Sequence, residues 1–170
     1  MTPGTALRDP HFKYEDGTTG LKRCVVLNDG TCGFYLVIKT TSRVHHKGRS
    51  SAHCQHGDAP PNFYLQEGIC GAFSTETWIL LDPYHERETK PFETRVTEAY
   101  VETLGVMEPT LFAELLDCVI RSHYLDRDYK MMLIPLRAQI GLALRDARKR
   151  GANPFSTVLE LLSWQSQNDA

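Results

Sequence analysis

The chain has 170 residues, 41% hydrophobic and 24% charged, a balance that fits one globular domain or a small domain with an appendage and excludes disordered, collagen-like and coiled-coil chains. Nineteen Lys and Arg face twenty-one Asp and Glu, for a formal net charge of −2, which argues against a protein held to nucleic acid by bulk charge and leaves local basic patches for that purpose. The longest apolar runs, such as Trp78 to Leu81 and Met131 to Ile134, are far too short to cross a bilayer. Met1 to Asp9 carries no secretory signal, so the expectation is a cytoplasmic protein without membrane contact. Five cysteines, an odd number, read as reduced thiols in that compartment.

Before residue 92, turn residues punctuate short apolar runs. Arg23 to Leu27 is β-branched and stops at Asn28-Asp29-Gly30, residues that tolerate positive φ. Gly33 to Thr41 follows, rich in aromatic and β-branched residues, and the two runs predict a β-hairpin. Asn62 to Leu65, entered through Pro60-Pro61, and Thr75 to Leu81, ended by Asp82-Pro83, predict two more strands. Short strands with short turns suggest a small barrel or curled sheet. Between them, Ser42 to Pro61 is a polar segment holding His45, His46, His53, Cys54 and His56 among Gly, Ser and Lys. It offers almost nothing apolar to bury, so it is expected to be the most mobile internal segment.

After residue 92 the spacing becomes helical. Tyr100, Val101 and Leu104 mark a short helix. Pro109 opens the next, with Leu111, Phe112, Leu115, Leu116, Val119 and Ile120 on one stripe. Leu136 to Arg150 forms another, begun or kinked by Pro135 and stopped at Gly151. Asn153-Pro154 caps a last helix reaching Trp164. The expected class is α+β: a β-rich part over residues 1–92 and a helical extension over 93–170 packed on it. Cys118 falls on the apolar stripe and reads as core, while Cys32 and Cys70 are the pair for which a bridge is conceivable.

Four stretches in the first half, taken in order, carry a resemblance. They are Leu21 to Asp29, Leu36 to Ser42, the strand around Phe63 to Leu65, and Phe73 to Asp82. Together they resemble the MazF/PemK-like superfamily of bacterial toxins over roughly residues 10 to 90, about half the chain. The first is similar to that family's Arg-Pro start of a Val/Leu-rich strand, the second to its strand ending in Thr-Ser. Cys24 stands where the family has Pro, Pro83 where it often has Gln, the His-rich loop is longer, and the helical half is extra. The resemblance implies a small SH3-like β-barrel, commonly dimeric, that cleaves single-stranded RNA without metal or cofactor and is restrained by a separate antitoxin chain.

Such cleavage uses the neighbouring 2′-OH as nucleophile and needs a cation at the charged phosphorane, for which the Arg fork is suited. In a hairpin closed at Asp29-Gly30, the start of the first strand lies beside the end of the second. Arg23 and Thr41 therefore sit on neighbouring strands, although the longer second run carries Thr41 past Arg23 unless that strand bends. The resemblance carries over Arg23 and Thr41, with Ser42, as catalytic residues. Arg43, Lys47, Arg49, His53 and His56 are the expected substrate contacts, offering positive charge and titratable imidazoles to a phosphate chain. The His and Cys of the loop are zinc-ligand types, but their spacing fits no standard pattern, so no metal is expected. A non-catalytic binding module on the same scaffold is the alternative, favoured by the added helices and the missing positive charge.

Overall fold

The computed structural model describes residues 1–43, 53–57 and 61–168. Most of the His-rich segment, including His45, His46, Lys47 and Arg49, lies outside the described residues, and with it the expectation of a mobile loop.

The chain starts with a strand that the apolar pattern does not announce. β1 (Thr5–Lys13) carries Arg8, Asp9 and Pro10 in its middle, and its pairing with β2 (Thr19–Val26) shifts register between Asp9 and Phe12, which accommodates the proline. β2 then pairs antiparallel with β3 (Phe34–Thr41), as the Asn28-Asp29-Gly30 turn predicts. The turn is clamped by Asn28, whose side chain donates to the Phe34 carbonyl at 2.9 Å and accepts from the Leu36 N–H at 2.7 Å. Gly30 has φ +80°, and a Cβ there would sit 2.5 Å from the Tyr35 ring, so only glycine fits.

β4 (Cys54–Gln55), β5 (Asn62–Leu65) and β6 (Thr77–Glu88) complete the first half. β6 does not stop at Asp82-Pro83. It passes that dipeptide through a register shift against β3 between Ile38 and Thr40 and continues to Glu88. α1 (Thr89–Thr97) follows, and then β7 (Glu102–Val106), where the spacing of Tyr100, Val101 and Leu104 predicted a helix. The last three elements are α2 (Pro109–Arg121), α3 (Arg127–Arg150) and α4 (Pro154–Asn168). Pro109 stands at the start of α2 and Gly151, left-handed, ends α3. Pro135 lies inside α3 rather than at its start. Met131 and Pro135 are both exposed, so the carbonyl freed by the missing N–H is open to water.

The seven strands form one antiparallel sheet in the order β4-β5-β6-β3-β2-β1-β7. The class is α+β, but the sheet is open: β4 and β7 are its two edges, and it does not close into the expected barrel. The reason lies in the central strands, which are apolar on both sides. Ala6, Val25, Leu27, Leu36 and Ile38 point to one face and pack with Leu111, Leu115, Leu116, Val119, Leu133 and Ile140 of α2 and α3. Leu7, Cys24, Val26, Tyr35 and Val37 point to the other and pack with Phe92 and Val101. A small barrel buries one face of its strands; a sheet apolar on both needs a cover on both. On the second face a buried Asp9 carboxylate is held by Arg95 of α1 at 2.7 and 3.2 Å and accepts the His11 N–H at 2.9 Å.

Candidate functional site

An open groove of about 430 Å³ crosses the end of the sheet where β2 begins and β3 ends. β2 contributes Leu21, Lys22 and Arg23, and β3 and the residues after it contribute Thr40, Thr41, Ser42 and Arg43. Arg8, Tyr14 and Thr77 complete the lining. The hairpin produces this arrangement directly, since antiparallel pairing sets the first residues of one strand beside the last of the next.

The register refines the expected neighbours. Cys24 pairs with Lys39, so continuation of the ladder sets Arg23 against Thr40 and Lys22 against Thr41. The Thr40 hydroxyl donates to the Arg23 carbonyl at 3.3 Å, tying the two strand ends together. By alternation Arg23 and Thr41 belong to opposite faces, yet both line the groove because it runs around the end of the sheet. Thr41 Oγ1 accepts the Arg43 N–H at 3.2 Å, which turns the chain and keeps Arg43 at the rim.

The lining is cationic. Among the described residues, Arg8, Lys22, Arg23 and Arg43 bring four positive groups to the lining and no carboxylate or imidazole joins them. Arg8 and Arg23 are direct cross-strand partners, an unfavourable like-charge pair. Glu102 of β7 offsets it through an ion pair with Arg8 at 3.1 Å. Among the described residues no carboxylate forms an ion pair with Lys22, Arg23 or Arg43. Burial pushes the Lys22 ammonium below its ordinary value, and the charges of Lys39 and Arg43 push it the same way. Lys39 is lowered by burial too, and its Nζ lies 5.9 Å from the Tyr14 ring centroid. An anion entering the groove relieves this repulsion.

Of the residues singled out in the sequence, Arg23, Thr41, Ser42 and Arg43 share the groove. His53 and His56 are not among its lining residues. His53 meets the Phe63 ring edge-on at 5.3 Å and faces Glu114 of α2 at 3.7 Å. His56 lies beside the Cys54–Cys118 disulfide that joins β4 to α2, with Cα atoms 5.6 Å apart. This bridge corrects the reading of five reduced thiols and of Cys32 with Cys70 as the conceivable pair. Cys118 is buried on the α2 stripe as expected, but β4 lies over it and brings Cys54 within bonding reach, a contact across 64 residues that spacing does not reveal. Cys24, Cys32 and Cys70 are free. Burial pushes the Cys24 thiol up to about 12, which keeps it protonated and inert.

Arg8, Tyr14 and Lys22 were missed as groove residues in the sequence. Arg8 and Tyr14 depend on β1, and Lys22 was legible as the neighbour of Arg23 in the same strand. No family model and no curated protein matches the chain. Among the described residues no helix is long and apolar enough to cross a membrane.

Proposed function

We propose that the groove binds the phosphate chain of single-stranded RNA and that the protein is a toxin-like, metal-independent endoribonuclease. The observation that carries this reading is the Arg23 fork, without an ion-pair partner among the described residues, beside Thr41, Ser42 and Arg43 in a groove whose described charged lining is cationic. The resemblance of the β2, β3 and β6 stretches to the MazF/PemK-like superfamily supports it.

In this reading Arg23 and Arg43 hold the non-bridging phosphate oxygens, and the Thr41 and Ser42 hydroxyls donate to them. The 2′-oxygen bonds to phosphorus and the bond to the 5′-oxygen breaks, leaving a 2′,3′-cyclic phosphate and a 5′-OH. The proton of the 2′-OH passes to solvent water, and Lys22 stays charged beside the phosphate chain. The departing oxygen takes a proton from water. A separate antitoxin chain and a second copy of this chain are the partners that the proposal includes, in the cytoplasm.

The test is cleavage of a mixed-sequence single-stranded RNA with chelator present. Arg23→Ala is expected to lower the rate about 10²–10³-fold, the usual effect of removing one fixed electrostatic contact. Thr41→Val is expected to cost less, because it removes one neutral hydrogen bond. One observation favours a second reading, a non-catalytic binding module: among the described residues no imidazole or carboxylate lines the groove to move the proton. Wild-type protein that binds the RNA and leaves it intact selects this second reading. Absence of both binding and cleavage rejects both.

A further inference from the structure

Three side chains of metal-ligand type meet where the β4 edge of the sheet faces α2. Cys54 lies in β4 and His56 in the turn that follows it, and the two side chains converge, while Gln55 between them is buried. The pair faces α2, which presents Cys118 three residues before its last residue, Arg121. The two sulfurs and a nitrogen of His56 all lie within 4.8 Å of one another. His56 Nε2 is 3.1 Å from Cys54 Sγ and 3.9 Å from Cys118 Sγ.

We propose that, when the bridge is reduced, Cys54, Cys118 and His56 bind one zinc ion. Tetrahedral zinc holds thiolates at about 2.3 Å and imidazole nitrogen at about 2.0–2.1 Å, which sets each sulfur about 3.5 Å from the nitrogen. The two observed separations straddle that value, so small side-chain rotations seat the ion once the sulfurs part. Two thiolates and an imidazole suit zinc better than a hard cation such as magnesium. The ion lies near the C-terminus of α2, the negative end of the helix dipole. His56 is exposed, so the fourth position faces solvent and takes water.

The redox step is a two-electron exchange. A dithiol reductant supplies two electrons and two protons, becomes a disulfide itself, and leaves Cys54 and Cys118 as thiols. Zinc then replaces the two thiol protons, which pass to solvent. The disulfide and the zinc site are thus alternative states of one β4–α2 link, and neither depends on what the groove binds.

The test uses the full chain, reduced with a phosphine without air, given zinc sulfate, freed of excess metal on a desalting column and assayed by mass spectrometry of the metal. About one zinc per chain is expected in the reduced protein and far less when the bridge is intact. Cobalt in place of zinc is expected to give the visible bands of a tetrahedral ion and a thiolate charge-transfer band. Cys54→Ser and His56→Gln, both at the sheet edge, are expected to lose stoichiometric zinc, whereas Cys32→Ser keeps it. Circular dichroism confirms that each variant is folded, which spares the test from relying on the buried Cys118. Absence of zinc from reduced wild-type protein, equal zinc in the oxidised protein, or zinc retained by His56→Gln overturns the proposal.

Discussion

If the groove holds a phosphate chain, its affinity must depend on salt in a way set by its cations. Single-stranded nucleic acid releases counterions so that log K falls with log salt by about 0.7 for each phosphate neutralised. Lys22, Arg23 and Arg43 have no ion-pair partner among the described residues, while Arg8 is committed to Glu102. Three free cations give a slope of about −2, and release of Arg8 from Glu102 deepens it to about −3. Between about 50 and 200 mM salt the affinity then falls roughly 20- to 50-fold. Arg23→Gln is expected to flatten the slope by about 0.7 and to weaken binding at least about tenfold, the loss of a charge-assisted contact worth about 1.5 kcal/mol. Fluorescence anisotropy with labelled 2′-O-methyl RNA measures this without interference from cleavage, since that RNA lacks the nucleophile. Lys149→Gln, at the exposed end of α3, is the control and is expected to leave the slope unchanged. A wild-type slope near zero, or equal effects of Arg23→Gln and Lys149→Gln, refutes the reasoning.

Three further outcomes follow from groups outside the groove. His85 is only 7% exposed, packs edge-on against Phe12 at 4.9 Å, and is pushed down to about 4 by burial first and by Lys39 and Arg87 next. It is neutral in the folded protein and gains its proton near pH 6.5 when unfolded, so its contribution is complete above about 6.5 and is lost as the pH falls toward 4. Urea unfolding is expected to show about 2 kcal/mol less stability at about pH 5 than at neutral pH, a difference that His85→Gln removes. Arg95→Met strands the buried Asp9 carboxylate and is expected to cost about 3 kcal/mol in the same assay, Asp9→Asn less, because the amide oxygen still accepts the His11 N–H. Reducing the bridge frees a loop of 64 residues and, in the absence of metal, is expected to lower stability by about 4 kcal/mol, read as a drop in the thermal midpoint.

What the sequence shows of this fold depends on how local the cause is. The hairpin was legible because Asn28, Asp29 and Gly30 act within a few residues, and α2 because its apolar residues keep a helical period. β1 was not, since Arg8, Asp9 and Pro10 break its alternation and only its neighbours on both sides make it a strand. β7 imitated a helix: Tyr100, Val101 and Leu104 have helical spacing, but Gly105 takes φ +146°, and pairing with β1 decides the conformation. The same division runs through the candidate groove. Arg23, Thr41, Ser42 and Arg43 follow from the hairpin alone, whereas Arg8 needs β1, and the register that pairs Arg23 with Thr40 depends on the full ladder. The Cys54–Cys118 bridge depends on β4 lying over α2, which no spacing rule contains.

The position of β1 inside the sheet imposes an order on folding during synthesis. Thr5 pairs with Val106, so β1 waits for β7, made about 90 residues later, to cover its free edge. The face formed by Val25, Leu36 and Ile79 waits longer, until α2 and α3 have emerged to pack on it. Through that interval the nascent chain presents an apolar sheet surface and an unpaired strand edge, the features that promote association between chains. Slow translation beyond residue 92 is therefore expected to lower yield, because a stalled ribosome holds a sheet with neither β7 nor its helical cover. A chain released at that point is expected to be recovered in aggregates, while the full chain, released with α2 and α3 in place, closes the exposed face at once.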